Sequence, residues 1–394
     1  MKYVLIVPDG MADDPLPELD GATPLQAAGT PNMDALARKG VVGSVLVTPP
    51  DLYPGSDVAN MALLGYDPRT YYSGRGPIEA AAMGIPLDTR DAAFRCSLVA
   101  TDGERLLDYS AGHISTEEAR PLVLLAAEKL GTNRLHLFPG VGYRHILVWN
   151  DGPVDLQTHA PHENMGRAIT EILPAGEGES ILRRFIWDSL ELLDDHPFNR
   201  KRRDAGLPPA NMLWPWGQGR AVHLPSFFSL HRVTGAAIAG VDVVRGLGRI
   251  VGLEVPVVPG ATGYLDTDYG AKARAALDAL TRHDFVWVHI EAPDEAGHAG
   301  RADQKIEAIE KIDRMVVGPL AEGLAKQDHC RILIVPDHAT PVATRKHKAA
   351  AVPFLLFDSL KERDNVLPFD ERAVPEAAQH EAQGFKLIQR LFEC

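Results

Sequence analysis

Three apolar runs, each closing on an aspartate, constrain this chain more than any other feature. YVLIVPD ends at Asp9, DFVWVHIEAPD ends at Asp294 after a short turn, and RILIVPDHAT carries Asp337 with His338 beside it. Runs of β-branched and aliphatic residues of this length read as buried strands. Open parallel sheets bind their ligands at the carboxyl ends of such strands. An oxygen donor next to a nitrogen donor at a strand tip suits a divalent transition metal.

Between these runs the chain alternates in an α/β rhythm. PNMDALARKG reads as a helix with Pro31 near its start and Gly40 as its stop, and VVGSVLVTPP as a strand. DLYPGSDVANMALLG places Gly55 and Ser56 in a turn just before a helix. A serine there either caps the helix or acts as a nucleophile whose phosphate meets the free backbone N–H groups. Near residue 86 the texture changes to strand pairs and capped helices. A smaller α+β domain over 86–217, inserted into a core of 1–85 and 218–394, fits that change. NMLWPWGQGRAVHLPSF reads as the return crossing, with Trp214 and Trp216 as packing anchors. Beyond it, RADQKIEAIEKIDRMVVGPLAEGLAKQ reads as one long helix and EAAQHEAQGFKLIQRLFEC as a closing helix.

A formal charge of -13 argues against nonspecific nucleic-acid binding, which needs a basic face. The one short basic cluster, NRKRR at 199–203, reads as a solvated loop able to hold a small anion. Cys96, Cys330 and Cys394 are far apart and lack CxxC spacing, so neither a disulfide framework nor a cysteine zinc site is expected. Without a basic, apolar leader or a run of about 18 apolar residues, a cytoplasmic protein with no membrane partner is expected.

Seven candidate ligands can be gathered: Asp9, Ser56, Asp294, His298, Asp337, His338 and His347. Each has a structural alternative, since aspartates at strand ends commonly form turns and His347 lies between two lysines. Together, three strand-end aspartates with histidines or a Gly-Ser nearby point to a metal centre. Mixed imidazole and carboxylate ligation favours Mn, Zn, Co or Fe over Ca, and over Mg in an all-oxygen site. Two ions about 4 Å apart can activate a hydroxyl and stabilise both ends of a phosphoryl displacement. Ser56 is the obvious hydroxyl.

PDGMAD, PGSDVANMALLGYDP, YYSGRGPIEA, DYSAGHIS, YRHILVW, EAPDEAGH and PDHATP together resemble the cofactor-independent phosphoglycerate mutases of the archaeal type, within the alkaline phosphatase superfamily. The resemblance runs nearly end to end, and the LWPWG segment places it in the bacterial branch. It implies an α/β, alkaline-phosphatase-like core, with a mostly parallel sheet flanked by helices, plus the inserted α+β domain, which would close over the substrate. It implies a glycolytic isomerase moving phosphate between the 3- and 2-positions of glycerate through a phosphoserine, without 2,3-bisphosphoglycerate. Two divalent ions are implied, manganese first, with Zn, Co or Mg as other choices. Asp294, His298 and His347 would hold one, and Asp9, Ser56, Asp337 and His338 the other, with Ser56 as nucleophile. His113 is the candidate general base. Arg75, Arg95, Arg144, Arg202, Arg203, Lys272 and His162 are candidates for holding the carboxylate and phosphate. Where relatives usually show a His-Thr pair and a DPVP-like passage, this chain has HKAAAVPF, which leaves the partner of His347 open. A homoserine kinase-like phosphotransferase, despite the absence of a Walker-type loop, and a metal-dependent phosphatase are the alternatives on the same core.

Overall fold

The computed structural model describes residues 1–393; Cys394, and with it the last position of the expected closing helix, lies outside the described residues. The chain divides into two units, Met1–Tyr72 with the stretch from His223 onward, and Ser73–Val222.

Among the described residues, the first unit has a seven-stranded sheet in the order Gly235–Ile238, Phe285–Ile290, Lys2–Pro8, Cys330–Ile334, Val352–Asp358, Val41–Val45, His380–Glu381. The first four strands are mutually parallel, and Val352–Asp358 runs against both of its neighbours. Every residue of Phe285–Ile290 and Cys330–Ile334 is buried. Helices cover both faces of such strands, so the sequence shows continuous apolar runs instead of alternation. On one face Val4, Ile6, Val288 and Ile332 pack with Met33, Leu36, Ala276, Leu280, Ile309 and Ile312, drawn from the helices Pro31–Lys39, Tyr269–Arg282 and Ala302–Ile312. Each fully buried aliphatic side chain contributes about 1.5–3 kcal/mol. Pro8 pairs with Ile290 and Ile6 with Ile334, so the three central strands stop nearly level. Their three outgoing loops therefore share one edge of the sheet.

Two helices expected as single pieces are divided. The long one runs as Ala302–Ile312, a π-helical turn Asp313–Val317, and Gly318–Leu324. The wider turn has a purpose: the buried Asp313 carboxylate accepts from the backbone N–H of Met33 at 2.7 Å and from the side-chain amide of Asn32 at 2.8 Å. It thereby satisfies the start of Pro31–Lys39, whose N-cap Thr30 makes no side-chain capping bond. The tail forms the edge strand His380–Glu381 and the short turns Gly384–Leu387 and Gln389–Phe392. A Cβ at Gly384 would meet the Val47 carbonyl oxygen at 2.3 Å, so glycine is needed where the tail docks.

Glu371 lies at the base of the loop after Lys2–Pro8, where it accepts the Asp13 N–H at 3.0 Å and the Thr23 hydroxyl at 2.6 Å. Burial outweighs both donors and pushes its carboxyl up to about 7. A carboxyl raised in the fold stabilises it below its ordinary pKa, and the contribution is lost as pH rises through the folded value. Glu371→Gln should therefore gain on the wild type between pH 5 and pH 8, by on the order of 2 kcal/mol for a group partly reached by solvent. Urea melts at the two pH values measure this; a wild-type-to-variant gap that does not change with pH would contradict it.

The second unit has a five-stranded antiparallel sheet. Ala92–Thr101 is its centre, paired with Arg144–Trp149, Leu106–Asp108 and Met212–Gly219, while Leu135–Phe138 lies outside Arg144–Trp149. The LWPWG segment is thus a strand of this sheet, where the sequence reads as a crossing. The helix Arg75–Ala82 also belongs to this unit, although the expected boundary at 86 leaves it in the core. Ala80 packs with Ala93, Ile146 and Val148, and a Cβ at Gly76 would meet the Ala93 carbonyl oxygen at 2.3 Å. NRKRR lies within the helix Pro197–Asp204 and is not a loop.

Candidate metal centre

Asp9 is the first residue past its strand, followed by Gly10 at φ +58°. A Cβ at Gly10 would lie 2.5 Å from Asp294 Oδ1, so only glycine allows the two segments to approach. Asp294 and His298 stand four apart on the helix Ala292–Ala299, which puts both on one face. Ser56 is the first residue of the fully buried helix Ser56–Leu63, with Gly55 at the N-cap. The serine does not cap this helix.

All seven candidate ligands of the first unit come together. His298 Nε2 lies 3.2 Å from Asp294 Oδ2 and 3.0 Å from His347 Nε2, which is 3.4 Å from Asp294 Oδ1. His338 Nε2 lies 3.3 Å from Asp9 Oδ1 and 3.7 Å from Asp337 Oδ2. Ser56 Oγ is 3.5 Å from both Asp9 Oδ2 and His338 Nε2. Three sets of donors, Asp294 with His298 and His347, Asp9 with Asp294 and His338, and Asp9 with His289 and Asp337, each have ligand atoms within 4.8 Å of one another.

Hydrogen bonds aim these donors. His298 Nδ1 donates to the Arg345 carbonyl at 2.9 Å. The Thr340 hydroxyl donates to Asp294 Oδ1 and lies 3.2 Å from His338 Nδ1. Both imidazoles are thereby left with Nε2 toward the cluster, the arrangement metal-binding histidines need. Asp337 Oδ1 accepts the backbone N–H of Gly10 at 3.1 Å and of His338 at 3.0 Å.

The electrostatics fit a group of positive charge. Asp9 Oδ1 is buried with no hydrogen-bond partner, and the Asp9 carboxyl is held well above its usual range by burial and then by the charges of Asp337, Asp294 and Glu291. Burial lowers His338 to about 4. Burial opposes the charging of His298, but Asp294 overcomes it and raises that imidazole to about 9. Carboxylates this close either share protons or share a cation. The donor set is therefore one that could hold divalent cations. His347 Nδ1, whose partner the sequence leaves open, has no hydrogen-bond partner.

Lys272 belongs to the same unit: its buried ammonium donates to the His289 carbonyl at 3.0 Å and is lowered by burial to about 8, against the pull of Glu291 and Asp9. The remaining candidates lie in the second unit, where five of them form one aromatic and cationic cluster. Arg75 and Arg95 both donate to the buried Glu79, at 2.7 and 2.5 Å, and both lie over the Trp216 ring, at 5.7 and 5.2 Å. Arg144 lies 5.4 Å from the Tyr143 ring, and His162 contacts Tyr109 and Trp216. Trp216, expected as a packing anchor, is buried in a hydrophobic cluster with Met212 and Trp214 and also serves the Arg75 and Arg95 guanidinium groups as a cation platform. His113 packs edge-on to Tyr109 and Tyr143. It ends a run, Ala111 to His113, in which all three residues have positive φ. Asp108 Oδ1 braces that turn by accepting from Ser110 and Gly112.

Arg202 and Arg203 stand apart from this cluster. Arg202 is buried and donates to the carbonyls of Pro208 and Ala111 and to Glu118, so it supports the His113 turn from behind. The Arg203 guanidinium is engaged by Asp194. Both guanidinium groups thus have internal acceptors, Arg202 in a buried setting and Arg203 at the surface.

A sequence profile described as 2,3-bisphosphoglycerate-independent phosphoglycerate mutase matches residues 37–199. A Geobacter sulfurreducens protein named a probable 2,3-bisphosphoglycerate-independent phosphoglycerate mutase is 46% identical over 100% of both chains. Among solved structures, a Pyrococcus horikoshii protein superposes with a TM-score of 0.82 at 30% identity, covering 99% of this chain and 96% of that one. The cofactor-independent phosphoglycerate mutase of Thermoplasma acidophilum gives a TM-score of 0.61 at 27% identity, covering 99% and 98%.

Proposed function

The chain belongs to the 2,3-bisphosphoglycerate-independent phosphoglycerate mutases, and from that premise we propose that it interconverts 3-phosphoglycerate and 2-phosphoglycerate with Ser56 as the transient phosphate carrier. One observation carries the assignment to Ser56: its hydroxyl lies 3.5 Å from Asp9 and from His338, on the first turn of a buried helix whose free N–H groups face incoming phosphate.

We assign one cation to Asp294, His298 and His347 and a second to Asp9, Ser56, Asp337 and His338; the mixed donor set suits Mn, Zn or Co, and the family resemblance puts manganese first. When bound, the pair lowers the pKa of a coordinated hydroxyl and offsets charge on the transferred phosphoryl group. Ser56 Oγ bonds to phosphorus as the ester bond to the 3-oxygen breaks, and the serine proton passes to that oxygen. The 2-hydroxyl then gives up its proton and bonds to the same phosphorus, and Ser56 recovers a proton as its ester bond breaks. Lys272 adds a fixed positive charge beside Asp9. To His113 we assign the proton shuttling, and to Arg75, Arg95, Arg144 and His162 the recognition of the acid's anionic oxygens, on the strength of their chemistry. Retention of the glycerate while Ser56 carries the phosphate is what separates this reaction from hydrolysis. We place the reaction in the cytoplasm, where glycolysis runs.

An enolase-coupled assay with 3-phosphoglycerate and Mn, without 2,3-bisphosphoglycerate, should show turnover. Homoserine with ATP, and phosphate release from simple esters, serve as parallel arms. Turnover confined to either parallel arm would replace the mutase with a kinase or a phosphatase.

A further inference from the structure

Asn60 stands four residues after Ser56 on the helix Ser56–Leu63 and is fully buried. Its Nδ2 lies 2.8 Å from Asp337 Oδ2, 2.9 Å from the Ser56 carbonyl and 3.3 Å from His289 Nε2. Turning the amide over would set its oxygen against a carboxylate and a carbonyl, so the nitrogen must face this way, and Oδ1 is left buried without a partner. His289 Nδ1 lies 3.2 Å from Glu291 Oε2 and donates there, which leaves Nε2 as an acceptor. Asp9 Oδ2 is 3.6 Å from that same Nε2.

Asp9, His289 and Asp337, like the two other donor sets, have ligand atoms within 4.8 Å of one another. What distinguishes this set is that a protein N–H donor already stands against two of its three members. The Lys272 ammonium, bonded to the His289 carbonyl, adds a second fixed donor at its back.

We propose that Asn60 is the residue that limits this centre to two cations, by supplying from its amide the positive contact that a third ion would otherwise make, and that it orients Asp337 while doing so. The base count of two rests on the cation assignment above; the increment on changing Asn60 does not. Asn60→Asp replaces the donor with a carboxylate oxygen and completes a four-donor set of two further carboxylates and an imidazole.

The test is the number of Mn ions retained per chain after gel filtration, by elemental analysis, with thermal melting in Mn and in chelator. Asn60→Asp should retain one ion more than the wild type, and its melting temperature should rise more steeply with added Mn. His289→Ala on the Asn60→Asp background should lose the extra ion. If the aspartate variant does not fold, Asn60→Ser, which offers an oxygen without burying a charge, should show the same gain of one. An unchanged count in a folded variant overturns the proposal, and so does a wild type that already holds three ions. A wild type holding fewer than two overturns the two-cation assignment instead, and the increment still decides the role of Asn60.

Discussion

Ser56→Ala is expected to lower the mutase rate by about 10⁴-fold or more while leaving the fold in place. Loss of a nucleophile removes the covalent route altogether, and a direct attack by water, which the surrounding charges could still assist, releases free phosphate and yields no 2-phosphoglycerate. Ser56 is the first helical residue, and its hydroxyl makes no capping bond, so alanine costs the helix little. Melting temperature should therefore move by no more than a surface substitution would move it. A second readout separates chemistry from binding. Wild-type enzyme quenched during turnover should carry one phosphate on the peptide containing Ser56 by mass spectrometry, and the variant none. Alanine enzyme that keeps a tenth of the wild-type rate, or a phosphate found on another side chain, would remove Ser56 from the reaction. Asp9 and His338 bracket the hydroxyl at 3.5 Å, and no other hydroxyl of the cluster is placed in this way, Thr340 being committed to Asp294.

The donors that end strands were legible because each follows an apolar run, and a parallel sheet delivers such ends to one edge whatever the separation along the chain. Residues that aim those donors were not, because their partners lie far away: Asn60 reaches Asp337, and Thr340 reaches Asp294. A signal for two buried lysines was nevertheless present. Lys305 precedes Ala308, Ile309 and Ile312 at spacings of three, four and seven, so it occupies the apolar stripe of its helix; Lys272 does the same with Ala276 and Ala279. A lysine on a core-facing stripe announces a buried carboxylate or carbonyl partner. The His289 ring, likewise, interrupts a fully buried strand. The boundary of the second unit was misplaced for a different reason. Helix Arg75–Ala82 is amphipathic against either sheet, and only the close approach of Gly76 to Ala93 says which one it covers.

Lys305→Met is expected to be the most destabilising single change away from the ligands, by about 3–5 kcal/mol. Its ammonium is fully buried and donates to Asp13 Oδ2 at 2.7 Å, to the Thr340 carbonyl at 2.9 Å and to the Ala12 carbonyl at 3.2 Å. Burial lowers the pKa of this lysine, against the pull of Asp13. Methionine matches the stem in volume, so the loss comes from leaving Asp13 as a buried carboxylate whose remaining donors are backbone N–H groups of Asp14 and Val342. Asp13→Asn should cost less than Lys305→Met in the single variants. In the double variant the neutral amide no longer needs a counter-charge, so the two losses should not add, and the coupling should reach a few kcal/mol. Urea melts of the four proteins measure it. The lysine also ties the loop after Lys2–Pro8 to the loop that carries Asp337, His338 and Thr340, one supplying Asp9 and the other its neighbours. Loosening that tie should weaken Mn affinity as well as stability, and an additive double variant with unchanged Mn affinity would reduce Lys305 to an ordinary packing residue.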